Sequence, residues 1–483
     1  MNNQSSPSSA THKTYEIGLL ALFTLIFSSM MGGGVFDIPQ NIAHQSLLPA
    51  ILISWIITII GMSFLAWAFV YITYKKPEID SGIYGYAKHG FGDYVGFNSA
   101  WGYWLNALLG NTSYLIYIFA TLGHFGFFKF FTDGVNTLSL ICESLLIWII
   151  YFLIARGIKE AAIINIIISF IKIAALIIII IVFFYAFNWQ QFITNFHHDL
   201  NINNHNEFNM GSIFSQIKNT MLVTVWDFLG IEAACIYAIR AKNMQDVAKA
   251  TVLGLTAVLI IDILISLLPF GITTTNIISG LSTPSVTGVL NIIIGAVTAN
   301  AVRIMILVSV LGALFAWTML ATNIVYLGAI DKTMPKIFNK VNKNNVPIGS
   351  LLMSVIALQI FLLGAYFTNS AYLTMIKLAT SLILVPYLLA TLFAFKLIIT
   401  NKTIDYLSLA KGIVAVSYAC WLIYAGGVYY LCLGAVLYSI GALIYIVARI
   451  QHQATIFSNY YEKFICGIIL FTTLILLLYS VLL

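Results

Sequence analysis

Apolar stretches long enough to cross a bilayer recur along this chain from end to end, and no other feature constrains the fold as much. They fall at about 17–44, 47–74, 96–127, 138–156, 160–187, 213–239, 248–273, 291–328, 348–367, 372–399, 408–430, 431–450 and 464–483. An α-helix needs roughly 20 apolar residues to span hydrocarbon. The pattern therefore predicts about 13 spanning helices, with 12 as the alternative, because the division near Gly426-Gly427 is the least distinct. Composition agrees: 60% of the 483 residues are hydrophobic and 8% are charged, against about 25% charged in soluble domains. Too little charge is present to cover a water-facing surface, which excludes a soluble enzyme, a disordered protein and a nucleic-acid binder. The net charge of +6, from 23 Lys and Arg against 17 Asp and Glu, fits Lys and Arg retained in cytoplasmic loops better than a polyanionic partner.

Loop charges give the orientation. With a cytoplasmic N-terminus, one side collects Lys13, Lys75, Lys76, Lys88, Arg156, Lys159, Arg240, Lys242, Lys249, Lys332, Lys336, Lys340, Lys343, Lys396, Lys402, Lys411, Arg449 and Lys463. The other side receives Lys129, with Lys218 near a helix entrance. Such asymmetry marks the cytoplasmic face. Residues 1–14 are polar and lack the apolar core of a signal peptide, so they read as a disordered cytoplasmic tail. The longest polar segments, 75–95, 188–212 and 329–347, suit loops with short interfacial helices, and 283–297 suits a partial external helix. Cys142, Cys235, Cys420, Cys432 and Cys466 show no CxxC spacing and read as buried, reduced thiols, so no disulfide framework, metal site or cofactor is expected.

Two spans carry residues that a continuous membrane helix resists. The first contains SSMMGGGVFDIPQN, residues 28–41, with three consecutive glycines and then Pro39. In a helix interior Gly costs about 1 kcal/mol relative to Ala, and Pro about 3 kcal/mol. An unwound turn in lipid survives only where it packs in protein or lines a cavity. The competing explanation is close helix packing through small residues, although such motifs space their glycines by four. In the sixth span, VWDFLGIEAA (225–234) places Asp227 and Glu232 around Gly230. Each intramembrane acid costs about 2.5–3.5 kcal/mol on insertion scales, so it marks a substrate or ion path unless it is a structural carboxylate bonded to backbone. Breaks five spans apart point to inverted repeats with a site at the midplane. Amide donors at the helix ends suit a carboxylate, and Trp226 nearby suits a cation. Together these features fit a cationic amino acid. In the fifth span Lys172 (SFIKIAAL) lies about twelve residues inside the membrane, where snorkelling towards the cytoplasm competes with a functional role.

The two interrupted motifs, together with KPEIDSGIYGYAKHGFGDYVGFNSAWGYWLNALLGN (76–111) and ALFAWTMLATNIVYLGAIDKTMPKIF (313–338), resemble the amino acid–polyamine–organocation superfamily. Within it the chain looks like the basic amino acid/polyamine antiporters, most of all the arginine/ornithine exchangers. The resemblance runs from about residue 15 to 400 and more loosely beyond. It implies an all-α membrane protein of 12–13 transmembrane helices in a 5+5 inverted repeat (LeuT-like), with helices 1 and 6 broken. The core at 15–400 would comprise repeats at about 15–190 and 210–400, followed by extra helices at 401–483.

The same resemblance assigns candidate roles. The substrate carboxylate would rest on the amides of Met30, Gly32, Gly33 and Gly34, and its amino group on carbonyls there and near Trp226 to Gly230. Trp226 would stack on the guanidinium and Asn111 would hydrogen-bond it. Glu232 would serve gating and pH response, and Tyr103, Trp317 and Tyr387 would be aromatic gates. Lys172 would stand where sodium-coupled relatives of the superfamily hold a sodium ion. Asp227, Asn106, Ala379 and Gly33 depart from the pattern of many relatives and bear on which cation is carried. The implied activity is exchange of arginine for ornithine, agmatine or lysine across a bacterial inner membrane, with no cofactor, no nucleic acid, the lipid bilayer as surroundings and a homodimer as a possible assembly. A proton-coupled uptake permease, a non-transporting sensor and a membrane enzyme are the alternatives. Against the last, no HExxH or nucleophile elbow is present.

Overall fold

In a computed structural model, residues 18–79, 81–157, 161–204, 210–233, 241–403 and 405–482 are described. The tail at 1–14 with Lys13, and Lys159, Cys235 and Arg240, lie outside the described residues. The chain runs α1 (Leu19–Met30), α2 (Ile38–Ala43), α3 (Leu48–Lys75), α4 (Gly82–Phe91), α5 (Asp93–Leu122), α6 (Thr137–Ala155), α7 (Ala161–Ala186), α8 (Trp189–Asn204) and α9 (Met210–Trp226). It continues through α10 (Met244–Leu267), α11 (Thr275–Ser279), α12 (Ser285–Ile294), α13 (Ala296–Ile330), α14 (Ile348–Tyr366), α15 (Ala371–Ile399), α16 (Tyr406–Gln451) and α17 (Tyr460–Leu482). Among the described residues, nine helices are long and apolar enough to cross a membrane. The first span is split into α1 and α2, and α9 stops at Trp226 within the sixth.

Helix α16 accounts for two spans. Its 46 residues would extend about 69 Å at 1.5 Å per residue, more than twice the hydrocarbon thickness of about 30 Å. The helix breaks at Gly427, whose backbone (φ 78°, ψ 156°) is not helical. With α17 as the last, each of the thirteen apolar stretches in the sequence has a helical counterpart. The predicted partial helix after Pro284 is α12.

Exposure separates the helices. Every residue of α5 from Tyr94 to Thr121 is buried, so this helix forms the centre of the bundle. On α6, Ile141, Leu145, Ile149 and Phe152 point outward, an apolar face suited to lipid. Cys420 on α16 also faces outward, so the expectation of uniformly buried thiols fails there; Cys466 is buried, and the four described cysteines are all free. A thiol costs little on a lipid-facing surface because no water is replaced. The segment predicted as an interfacial helix at 75–95 is instead drawn inside: α4 buries Tyr84 and Tyr86 and passes so close to α15 that a Cβ on Gly90 would lie 2.8 Å from Phe393.

Polar residues tie the ends of the bundle. At the Lys- and Arg-rich end, Lys88 reaches Asp331 at 2.8 Å, Arg449 reaches Asp93 at 3.2 Å, and Lys396 donates to the Gly90 carbonyl at 2.7 Å. The fully buried Glu462 accepts from the amides of Tyr94 (3.1 Å) and Ser458 (2.7 Å), fastening α17 to the start of α5. At the opposite end, Asp199 of α8 accepts from Leu48 N and Thr275 Oγ1. Glu462→Ala should therefore leave the buried Tyr94 amide unpaired, together with the more exposed Ser458 amide, and lower stability by about 1–3 kcal/mol, with Glu462→Gln milder; thermal unfolding in detergent reads this directly.

Candidate functional site

The first break begins where α1 stops at Met30. Met31 leaves the helical region (ψ 80°), a single 3-10 turn covers Gly34–Phe36, and α2 starts with Pro39 in its first turn, where the missing N–H costs nothing. Side chains explain the glycines. A Cβ on Gly32 would collide with the Tyr114 hydroxyl, and one on Gly34 with the Asp227 carboxylate and the Trp226 indole. At Gly33 the nearest atoms, from Tyr114 and Val310, would stand at 3.3 Å. The glycines therefore allow direct approach to the backbone of the break, which lipid could not solvate.

The second break follows Trp226. Residues 227–232 form tight turns, with Leu229 N bonded to Trp226 O (3.2 Å) and Ala233 N to Gly230 O (2.9 Å). Gly230 takes φ +106°, and its α-carbon lies against Ser29, whose backbone would stand 2.9 Å from an added Cβ. Ser29 Oγ donates to the Gly230 carbonyl at 3.0 Å, so the two breaks are joined directly.

Between them lies a small cavity, about 10 Å³, lined by Met30, Asn106, Ala107, Gly110, Tyr114, Trp226, Leu229 and Trp317. Trp226 and Trp317 are 7% and 6% exposed, so the cavity is almost closed. Gly110 lets the Trp226 ring approach α5, since a Cβ there would stand 2.8 Å from the indole.

Around this cavity the predicted residues separate into groups. Met30, Trp226 and Trp317 form its wall, and Gly32, Gly33 and Gly34 lie behind Tyr114 and Asp227. Glu232 is fully buried at the end of the second break and accepts from Tyr387 OH (2.9 Å) and Gly230 N (3.2 Å), with Tyr103 beside it. Tyr103 in turn packs on Trp317 with ring centroids 6.0 Å apart. Lys172, 1% exposed, does not snorkel: its ammonium donates to the carbonyls of Met31 and, at 3.4 Å, Ser28, the free C-terminal end of α1. Asn111 is not on the cavity wall. Its amide nitrogen donates to Thr318 Oγ1 at 3.0 Å, and its carbonyl oxygen has no partner among the described residues.

Asn106, singled out in the sequence, lines the cavity, whereas Tyr114, Asp37 and Asp262 were missed. Asn106 Nδ2 donates to the Ala379 carbonyl at 3.0 Å, so two departures from the family pattern are one link between α5 and α15. Tyr114 lies one helical turn beyond Asn111, and its ring packs on Trp226 at 6.1 Å. Asp37, fully buried, accepts from Thr283 Oγ1 (2.6 Å) and Ser285 N (2.7 Å), which fastens the segment before α12 to the first break. Asp262, in LIIDILI of α10, carried the same signal as Asp227: an acid within an apolar span.

Two interrupted helices enclosing a central cavity define a secondary transporter of the LeuT-like class. A Na+-coupled sialic acid symporter shares this fold, with a TM-score of 0.52 over 86% of this chain and 90% of its own, at 11% identity. The chain belongs to the amino acid permease family, which residues 17–471 match. Similar proteins include an arginine/ornithine antiporter of Pseudomonas aeruginosa, 39% identical over 95% of this chain and 96% of its own. A putative arginine/ornithine antiporter of Escherichia coli is 37% identical over 94% of this chain and 97% of its own. An arginine/agmatine antiporter of Chlamydia caviae is 36% identical over 96% of each chain.

Gly230→Ala should force an L-residue into a left-handed backbone against Ser29 and cost about 1–3 kcal/mol. Gly61→Ala, which meets Tyr418 away from the breaks, would serve as a packing control, with both read by thermal unfolding. A Gly230→Ala protein as stable as the wild type would contradict the geometry.

Proposed function

We propose that this protein exchanges a cationic amino acid, arginine first, for a related amino acid or amine, ornithine first, by alternating access. The observation that carries the reading is the closed cavity between the two interrupted spans, walled by Trp226 and Trp317. The names and near full-length similarity of the antiporter relatives support the choice of substrate.

In this reading the amides of Gly32, Gly33 and Gly34 hold the carboxylate once the Tyr114 hydroxyl moves aside. The indole of Trp226 faces the guanidinium through a cation–π contact, and the unpartnered Asn111 oxygen supplies a hydrogen-bond acceptor. Glu232, held by Tyr387 with Tyr103 alongside, lies at the end of the second break and acts as the gate. Lys172 supplies fixed positive charge at the α1 terminus, so no sodium ion is needed there. Asp227 adds a titratable group to the gating set. The protein performs no chemistry on its cargo. The transporting unit is the core at 15–400, with 401–483 as additional helices, in a bacterial inner membrane with a cytoplasmic N-terminus and a possible homodimeric assembly.

Counterflow in proteoliposomes loaded in turn with arginine, ornithine, agmatine, lysine and cadaverine tests the reading. Arginine uptake should require internal substrate; equal uptake into empty vesicles would favour a proton-coupled permease instead. Trp226→Leu should weaken arginine binding at least about tenfold by calorimetry, since a desolvated cation–π contact is worth about 2 kcal/mol. Glu232→Gln should flatten the pH dependence of exchange, and an unaltered pH profile would remove Glu232 from the gate.

A further inference from the structure

One side chain covers the start of the glycine turn in the first break. All three atoms nearest to a Cβ built on Gly32 belong to Tyr114, and the closest is the hydroxyl oxygen. At Gly33, ring carbons of Tyr114 stand at 3.3 Å, level with Val310. The Gly33 amide is directed at the same hydroxyl as a donor, whereas the Gly32 amide is already taken by the Met30 carbonyl at 2.9 Å. Gly34 is covered from another side, by Trp226 and Asp227. The phenol therefore lies along the backbone of the turn. Its oxygen sits where a ligand oxygen would have to sit to use the Gly33 amide.

Tyr114 is 5% exposed and projects from α5, the buried central helix. Its ring packs on the Trp226 indole with centroids 6.1 Å apart and planes inclined by 58°. Both rings belong to the wall of the central cavity, opposite Trp317 and Asn106 on the same lining. That cavity of about 10 Å³ has room for about one water molecule. Cargo therefore enters only when wall side chains withdraw, and Tyr114 is the wall residue that also covers Gly32 and Gly33.

We propose that the Tyr114 hydroxyl is a built-in substitute for the carboxylate of the cargo, and that it sets how strongly the site prefers an amino acid over its decarboxylated amine. This rests on the transport reading above and deepens it. Cargo of either kind needs the tryptophan side of the wall to withdraw. Only a carboxylate needs Tyr114 to leave as well. An arriving amino acid puts its carboxylate on the Gly33 amide and displaces the hydroxyl. It gains a charge-assisted hydrogen bond, roughly twice as strong as a neutral one, less the phenol contact given up. Agmatine keeps the amino group and guanidinium of arginine and lacks only the carboxylate. With that cargo the hydroxyl stays on the amide, so no buried N–H bears the desolvation penalty of an unmade bond. One site thus takes both kinds of cargo with its backbone satisfied. Because the hydroxyl competes with the carboxylate alone, it narrows the gap in affinity between them.

The test is calorimetry of arginine and agmatine binding to the full-length protein in detergent, wild type against Tyr114→Phe, which keeps the ring and loses only the oxygen. Removing the competitor should raise the ratio of arginine to agmatine affinity about fivefold to tenfold, and the ratio of lysine to cadaverine affinity with it. A purely structural role would change both members of each pair alike, so an unchanged or lowered ratio overturns the proposal. Fluorine NMR of the protein carrying fluorotyrosine in place of Tyr114 is a second readout. The resonance should move further with arginine than with agmatine, and equal movement overturns the proposal even if Tyr114→Phe does not fold. Wild-type protein that binds arginine and not agmatine would overturn this proposal and leave the transport reading standing. Wild-type protein that binds neither would overturn the transport reading, and this proposal with it.

Discussion

A helix that stops halfway through a bilayer leaves peptide groups that hydrocarbon cannot solvate, and the site is organised around meeting that demand twice. At the first break the free carbonyls of α1 receive the Lys172 ammonium. At the second, Gly230 O receives the Ser29 hydroxyl and Gly230 N gives to Glu232. One ionisable side chain serves each break, and Ser29 couples them. The cavity is therefore not a gap between finished helices. It is the space around two chain interruptions that are joined directly by Ser29 and Gly230.

The same logic extends into the scaffold. Pro386 cannot donate to Leu382 O one turn earlier, and that carbonyl instead accepts from Tyr438 OH at 3.0 Å. A Cβ on Gly102 would strike the same hydroxyl, so α5, α15 and α16 meet at one point. Tyr387 follows Pro386 immediately and points its hydroxyl at Glu232. A local defect in α15 thus places the partner of the buried carboxylate, and the helices beyond residue 400 contribute to the geometry of the core.

What could be seen in the sequence was whatever carries its cost locally. Three adjacent glycines and a proline in an apolar stretch are anomalous with no knowledge of neighbours, and so are Asp227, Glu232 and Lys172. The split of α16 near Gly426-Gly427 and the helix after Pro284 were visible for the same reason. Pairings between distant segments were hidden. Asn106 and Ala379 each looked like an isolated departure, and only the fold shows that the carboxamide of one caps the carbonyl of the other. Asn111 was readable as a polar residue in a span, but its bond to Thr318, 207 positions away, was not. Tyr114 escaped because tyrosine is common here (26 residues) and its importance lies in what it covers. Asp262 differs: its signal was present and simply outweighed by the louder motif containing Asp227.

Asp37 shows how the cavity can respond to events at one end of the bundle. It sits between the first break and α2, and it holds Thr283 and Ser285 at the entrance to α12. His124, at the end of α5, accepts or donates at the Thr283 carbonyl (2.9 Å), and Gln45, just beyond α2, accepts from Lys377 of α15 (2.7 Å). The polar strap therefore joins elements of both halves of the molecule at the side opposite the Lys- and Arg-rich loops. Any tilt of α2 that opens the cavity on that side must stretch these bonds together. These bonds are few, and they lie outside the packed interior of α5.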